Sequence, residues 1–263
     1  MNTHRSNITV EKRAAVAQIT INRPEKRNAL NWETVKEFLA ALEDLRQDQS
    51  VVVVLTRGAG EIAYCAGRDL SEFPMDGVTV EPDRRSKTRA YHLAEALRNF
   101  PKVTIAVVNG FCLGAGITLL IPHDLAIASD KAQFGLPEIL RGFIPYPIVA
   151  TLFRAGVPTK LAFELILTGK NWDAKKSLDA GLINRVVPHS ELQEAAWKWG
   201  EEIAQFDKMT LKYCKMAAHA SMEVSSVPMA AEIAWLMQEE HNRYNSKAYA
   251  GTIAFHKEKG GGE

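Results

Sequence analysis

Hydrophobic and polar positions divide the chain near residue 145. Upstream, "AVAQITINRP" alternates and stops at Pro24, as a strand entering a turn does. In the segment 31–48, Val35, Phe38, Leu39, Leu42 and Leu45 share one helical face, and Asn31 stands ready to cap it. The runs "VVVVLT" (51–56), "KVTIAVVNG" (102–110) and "HDLAIAS" (123–129) are apolar on both faces, the pattern of strands in a covered parallel sheet. Strands alternating with helices through short loops predict an α/β fold. The segment from about Phe73 to Arg85, rich in Pro, Asp and Gly, is a candidate mobile lid. Downstream, strand signals vanish except for "LINRVVP" (182–188). Helical periodicity marks stretches near 147–156, 158–167, 173–180, 190–206, 209–220, 227–241 and 246–258. The expected organisation is an α/β core over 1–190 and a helical C-terminal region over 191–263. So many apolar helical faces suggest self-association.

Composition narrows the function classes. With 46% hydrophobic residues, the 263-residue chain can bury a large core. Its 32 basic and 31 acidic residues leave a formal charge of +1, so no global field favours nucleic acid or an anionic membrane. The longest apolar stretch, near 103–121, is broken by Asn109 and glycines, which argues against a membrane span. Cys65, Cys112 and Cys214 lie far apart without a CxxC. Together with the lack of a signal-peptide pattern, that spacing predicts reduced thiols and a cytoplasmic protein.

Three stretches carry candidate chemistry: "YCAGRDL" (64–70), "GFCLGAG" (110–116) and "FGLPEILRGFIP" (134–145). The first two place glycines at the end of strand-like runs. Backbone N–H groups at such turns can hold an anion, and two from separate loops can form an oxyanion hole. The alternative is that these glycines only shape tight turns. "GAG" is no dinucleotide fingerprint, because Leu119 stands where the third glycine belongs. Neither a G-x-S-x-G, nor a Walker sequence, nor an H-E-x-x-H zinc motif occurs, and no metal site is expected. Glu138 stands beside Pro137, with Leu136, Ile139, Leu140 and Phe143 near enough in sequence to desolvate it. Without further context a glutamate in such mixed sequence reads as a solvated surface group.

In order along the chain, "INRPEKRNALN", "YCAGRDL", "VNGFCLGAG", "FGLPEILRGFIP" and "LTGKNWDAKKSLDAGLINRVVP" resemble the successive motifs of the crotonase, or enoyl-CoA hydratase/isomerase, superfamily. The resemblance runs almost end to end. It implies a spiral of ββα turns, a C-terminal helical trimerisation region, a homotrimer or homohexamer, and acyl-CoA thioester substrates. Coenzyme A arrives as part of the substrate, and no separate cofactor is implied. The resemblance assigns the oxyanion N–H groups to Arg68 and Ala115, with Gly114 and Gly116 letting the backbone close on the thioester oxygen, and makes Glu138 the acid/base. For CoA it points to Lys26, Arg27 and Ala29 in the first loop, and to Ala66, Arg68 and Leu70 around adenine and pantetheine, with Asp69 and Ser71 in the same turn. The Arg68 guanidinium faces either solvent or a CoA phosphate. Phe255 matches a C-terminal position that reaches a neighbouring subunit's CoA, with Lys257 or Lys259 beside it.

Two positions depart from the hydratase pattern. The second hydratase glutamate is replaced by Thr118, which can hold a water but cannot take its proton at neutral pH. "PYPIVA" replaces a glycine-rich helix start, so Tyr146 and Val149 would reshape the acyl pocket. Phe73, Phe111, Phe143 and Tyr146 either line that pocket or belong to the core. One glutamate and an oxyanion hole suffice to move a proton between carbons. The expected function is therefore isomerisation or hydration of an enoyl-CoA double bond. The alternatives are a hydratase-lyase on an aryl-enoyl-CoA, for which Tyr64, Tyr91 and Tyr146 are candidate tyrosines, and a non-catalytic binding protein of the same fold. His123 is expected to be buried or capping.

Overall fold

A computed structural model describes residues 6–72 and 89–244. The expected lid, the 246–258 helix, Phe255, Lys257 and Lys259 lie outside the described residues, as do the side chain of Tyr91 and all of Phe73. The chain divides between Gln205 and Phe206 into two compact units.

The first unit is built on two sheets. The larger contains β1 (Ile8–Arg13), β2 (Val16–Ile21), β3 (Val53–Gly58), β5 (Val103–Val108), β7 (Leu125–Ser129) and β10 (Arg185–Val187), side by side in that order. The smaller contains β4 (Ala63–Cys65), β6 (Phe111–Leu113), β8 (Gln133–Gly135) and β9 (Trp172–Asp173). Each circuit of the chain gives one strand to each sheet: β3 then β4, β5 then β6, β7 then β8. Within each sheet these successive strands pair in parallel. Helices α1 (Trp32–Gln47), α2 (Arg89–Arg98) and α3 (Ala115–Leu120) stand between circuits, α4 (Tyr146–Leu152) and α5 (Thr159–Thr168) lie between β8 and β9, and α6 (Ala174–Asp179) follows β9. This is the expected ββα repeat. It places every β4/β6/β8 end, and the loop that follows, on one edge of the smaller sheet.

Local sequence explains the elements. Asn31 Oδ1 accepts the Thr34 N–H at 2.8 Å and caps α1. Val35, Phe38, Leu42 and Leu45 turn that helix into the core, with Leu39 at its margin. Every residue of β5 is buried, as its two-sided apolar run requires. Helix α7 (Leu192–Ala204), grouped by its periodicity with the C-terminal helices, belongs to the first unit instead. Its Ala196, Trp197, Trp199 and Gly200 are buried on the large sheet, and Gly200 faces Val16 and Leu55. An amphipathic helix covers the sheet face it fits, whatever its distance from the strands in sequence.

The second unit holds α8 (Lys208–Glu223) and α9 (Val227–Tyr244), packed on each other. Asp207 caps α8 through the Thr210 N–H at 2.8 Å. Cys65 and Cys112 are buried thiols and Cys214 is exposed. No helix among the described residues is long and apolar enough to cross a membrane.

Candidate active site

The first loop and the A-G-R-D loop run side by side. After a 3₁₀ turn at Pro24–Lys26, Arg27 and Asn28 adopt left-handed backbones, at φ 50° and 55°. Asn28 makes that conformation affordable: its Nδ2 donates to Ala59 O at 3.0 Å and Ala63 O at 2.7 Å, and its Oδ1 accepts from the Arg23 N–H at 3.1 Å. The Ala66 N–H then donates to Arg27 O at 3.0 Å, Leu30 N–H to Gly67 O at 2.8 Å, and Asp69 N–H to Leu30 O at 3.0 Å. Asp69 locks the pair from beneath. Arg23 Nη2 lies 2.8 Å from its carboxylate, and Ser71 donates both its N–H and its hydroxyl. Burial alone would raise the Asp69 pKa, but the Ser71 and Arg23 hydrogen bonds outweigh it and hold the value at about 2.

The second turn begins where β6 ends. Gly114 has φ 52° and ψ −117°, a backbone that L side chains avoid, and its N–H donates to Gly135 O at 2.9 Å. Helix α3 starts at the next residue. The Ala115 N–H occupies the first helical position, which has no intrahelical acceptor, and it meets no backbone carbonyl among the described residues. Gly67, at φ 107°, brings the two loops together: a Cβ there would lie 3.0 Å from Leu113 O and 3.6 Å from Ala115 N. A Cβ on Gly116 would lie 2.4 Å from Cys65 O, so only glycine lets the first turn of α3 rest on the end of β4.

The third stretch delivers the carboxylate. Pro137–Arg141 forms a 3₁₀ helix that Gly142 ends at φ 73°, and the Phe143 N–H closes on Glu138 O at 3.1 Å. The Glu138 carboxylate lies against the Gly114 turn, where a Cβ would meet its Oε1 at 2.6 Å. Its Oε2 is shielded from solvent, with no partner among the described residues. Burial raises the Glu138 pKa, partly offset by its own backbone N–H and by Arg141. Thr118, in the second turn of α3, is buried, and its Oγ1 also has no described partner. A desolvated carboxylate thus stands beside the turn whose next N–H meets no backbone carbonyl among the described residues.

The other expected residues differ in exposure. Lys26 and Arg27 are exposed at the loop surface. Ala29 is buried, and its carbonyl accepts from Arg23 Nη1 at 2.6 Å. Ala66 and Arg68 are half-buried, Arg68 with its Nε shielded from solvent. Leu70 and Tyr146 are exposed, as is Phe143, while Phe111 is half-buried. Tyr64 is fully buried, and its hydroxyl is engaged with Thr56 at 2.9 Å, which takes it out of the reacting group. Sequence reading missed Asn28 and Asn109 as supports. The Asn109 Nδ2 donates to Gly58 O at 3.0 Å and Gly60 O at 2.8 Å. Its signal was an asparagine closing a mostly apolar strand just before Gly110.

Residues 11–261 match the enoyl-CoA hydratase/isomerase family. The chain belongs to it. A probable mitochondrial enoyl-CoA hydratase from Dictyostelium discoideum is 34% identical over 253 residues, covering 96% of this chain and 85% of that one. A hydroxycinnamoyl-CoA hydratase-lyase from Pseudomonas fluorescens is 34% identical over 211 residues, covering 79% and 76%. Among solved structures, an enoyl-CoA hydratase subunit from Geobacillus kaustophilus superposes with a TM-score of 0.88 at 26% identity, covering 97% of each chain. The α/β spiral expected of the family is therefore the fold of this member.

Proposed function

We propose that this enzyme moves or hydrates the double bond of an enoyl-CoA thioester by proton transfer through one glutamate, with isomerisation as the chemistry that fits the site best. The observation that supports it is the Glu138 carboxylate packed against Gly114, immediately before the Ala115 N–H. The thioester carbonyl accepts from the Arg68 and Ala115 N–H groups. Ionised Glu138 takes a proton from the carbon between the carbonyl and the double bond, and negative charge moves onto the thioester oxygen. Each N–H is worth most at that moment, and losing one donor of this kind costs about 3–4 kcal/mol. Glu138 then returns the proton to the far end of the dienolate, and the double bond has moved by one position. Desolvation raises the basicity of Glu138, which suits a group that takes and returns one proton.

Hydration is the second reading, favoured by one observation: the buried Thr118 Oγ1, without a partner among the described residues, can orient a water on the same helix that begins with Ala115. The hydratase-lyase relative extends that reading to an aryl-enoyl-CoA. Exposed Lys26 and Arg27 suit the CoA phosphates. The exposed apolar side chains of α8 and α9, among them Met229, Trp235 and Leu236, suit a homotrimer or homohexamer. A cytoplasmic location remains part of this proposal.

Incubation with a pool of 2-enoyl-, 3-enoyl- and aryl-enoyl-CoA thioesters, followed by mass spectrometry, tests the reading. Conversion of a 3-enoyl to a 2-enoyl thioester without mass change supports isomerisation, and a product that gains one water supports hydration. CoA binding without turnover of any member would overturn both.

A further inference from the structure

A buried hydrogen-bonded chain lies outside the reacting groups and connects their two backbones. The Tyr64 hydroxyl lies 2.9 Å from Thr56 Oγ1, Thr56 Oγ1 lies 2.8 Å from His123 Nε2, and His123 Nδ1 lies 2.8 Å from Leu119 O. All three side chains are buried. A carbonyl oxygen only accepts, so Nδ1 carries the proton, and in the uncharged ring Nε2 accepts. With the ring uncharged, Thr56 donates to His123 and accepts from Tyr64.

The ends of the chain matter. Tyr64 sits in β4, just ahead of the Ala66–Arg68 turn. Leu119 sits in the last turn of α3, the helix that Ala115 opens. Its carbonyl is one of those a helix end leaves without an intrahelical donor, and His123 satisfies it. Helix α3 has six residues, too few to hold its own position by internal hydrogen bonding. It is fastened at its start by the Gly114 N–H on Gly135 O, and at its end by His123. Thr56, in β3 of the large sheet, is the anchor common to both donor segments.

We infer that the Tyr64–Thr56–His123 chain sets the spacing between the Arg68 and Ala115 N–H groups, making these three side chains positioning residues for the thioester carbonyl. The inference rests on the oxyanion assignment proposed above. A shift of α3 against β4 by a fraction of an ångström weakens hydrogen bonds to the developing oxyanion. It leaves the contacts that hold CoA unchanged, so the effect falls on kcat rather than KM.

The test compares Thr56→Val, Thr56→Ser and Tyr64→Phe with the parent, using whichever thioester of the pool the parent turns over fastest. Kinetics give kcat and KM, and infrared difference spectroscopy of the carbonyl-labelled thioester reads the polarisation of the bound C=O. Thr56→Val removes both hydroxyl bonds at nearly constant shape. It should lower kcat about tenfold at a KM within about twofold of the parent, because sub-ångström misplacement acts on the transition state. The shift of the C=O stretch should shrink with it. Thr56→Ser restores both, and Tyr64→Phe, which keeps the Thr56–His123 bond, falls between. Parent-like kcat and C=O frequency in Thr56→Val, with only a lower Tm, would overturn the inference. If Thr56→Val fails to fold, a parent-like C=O frequency in Tyr64→Phe overturns it instead. A parent that does not polarise the bound carbonyl fails the oxyanion assignment, and the positioning role falls with it. A polarised parent with equally polarised variants defeats the positioning role alone.

Discussion

Gly114→Ala tests the site where its geometry is tightest, and two separate effects act there. At φ 52° and ψ −117° an alanine is strained, which costs about 1–3 kcal/mol of stability. Its methyl would also lie 2.6 Å from Glu138 Oε1, so the carboxylate must retreat by about 0.8 Å to regain ordinary van der Waals contact. That movement is sterically easy, because the obstacle is the end of a flexible side chain. It is catalytically expensive, because misplacing a reacting group by about 1 Å costs on the order of a hundredfold in rate. Gly114→Ala should therefore lose stability by the backbone strain and lose one to two orders of magnitude in kcat. Gly181→Ala is the control: φ is 74°, a Cβ meets nothing within 4 Å, and it should lose about 1–2 kcal/mol with kcat unchanged. Denaturant unfolding and steady-state kinetics on both variants give the comparison. In a Glu138→Ala background, where no carboxylate stands in the way, Gly114→Ala should lose the same backbone part of the stability. A Gly114→Ala enzyme with the parent's kcat, and no more stability loss than Gly181→Ala, would refute the placement of Glu138.

Three further outcomes follow from the same geometry. Burial raises the Glu138 pKa above its ordinary 4.5, so the stability tied to its proton is present below that value and is lost as pH rises through the raised one. Glu138→Gln should therefore have a higher Tm than the parent at neutral pH, with the gap closing below 4.5, as a pH series of thermal melts would show. For Asp69 the sign is opposite: its pKa is lowered from 3.8 to about 2, so its contribution is present above 3.8 and fades as pH falls through about 2. Asp69→Asn leaves the Arg23 guanidinium without its carboxylate and should destabilise by about 3–5 kcal/mol in urea unfolding near neutral pH. Thr118→Val removes a buried hydroxyl that has no described partner, so Tm should hold or rise, while any product that gains water disappears and isomerisation continues. Unchanged hydration in Thr118→Val would remove Thr118 from water handling.

Elements whose periodicity is long or wholly apolar were legible in the sequence. The 31–48 reading is α1 at Trp32–Gln47, and the strands read at 51–56, 102–110 and 123–129 are β3, β5 and β7. The smaller sheet was not legible, because β4, β6, β8 and β9 are two or three residues long and show no alternation. Yet their ends carry the candidate site. The glycines of these turns mark close approaches between segments of the chain: Gly67 and Gly116 bring the β4 and β6 loops into contact, and Gly114 receives Glu138. Tyr64 and His123 illustrate the converse. Both carry chemistry-bearing groups, and both are spent in the core on Thr56 and a helix carbonyl. Local sequence could place His123 only as buried or capping; it is both. The fold of α7 onto the large sheet is a tertiary choice that its own amphipathic pattern does not encode.

Proton transfer through Glu138 is the claim on which the functional reading stands. The most direct measurement is turnover of the thioester pool by the parent and by Glu138→Gln, with products identified by mass and by proton NMR. The parent should convert a 3-enoyl thioester to its 2-enoyl isomer at unchanged mass, and Glu138→Gln should still bind the thioester but convert none of the pool at a measurable rate. Turnover by Glu138→Gln at the parent's rate would contradict it.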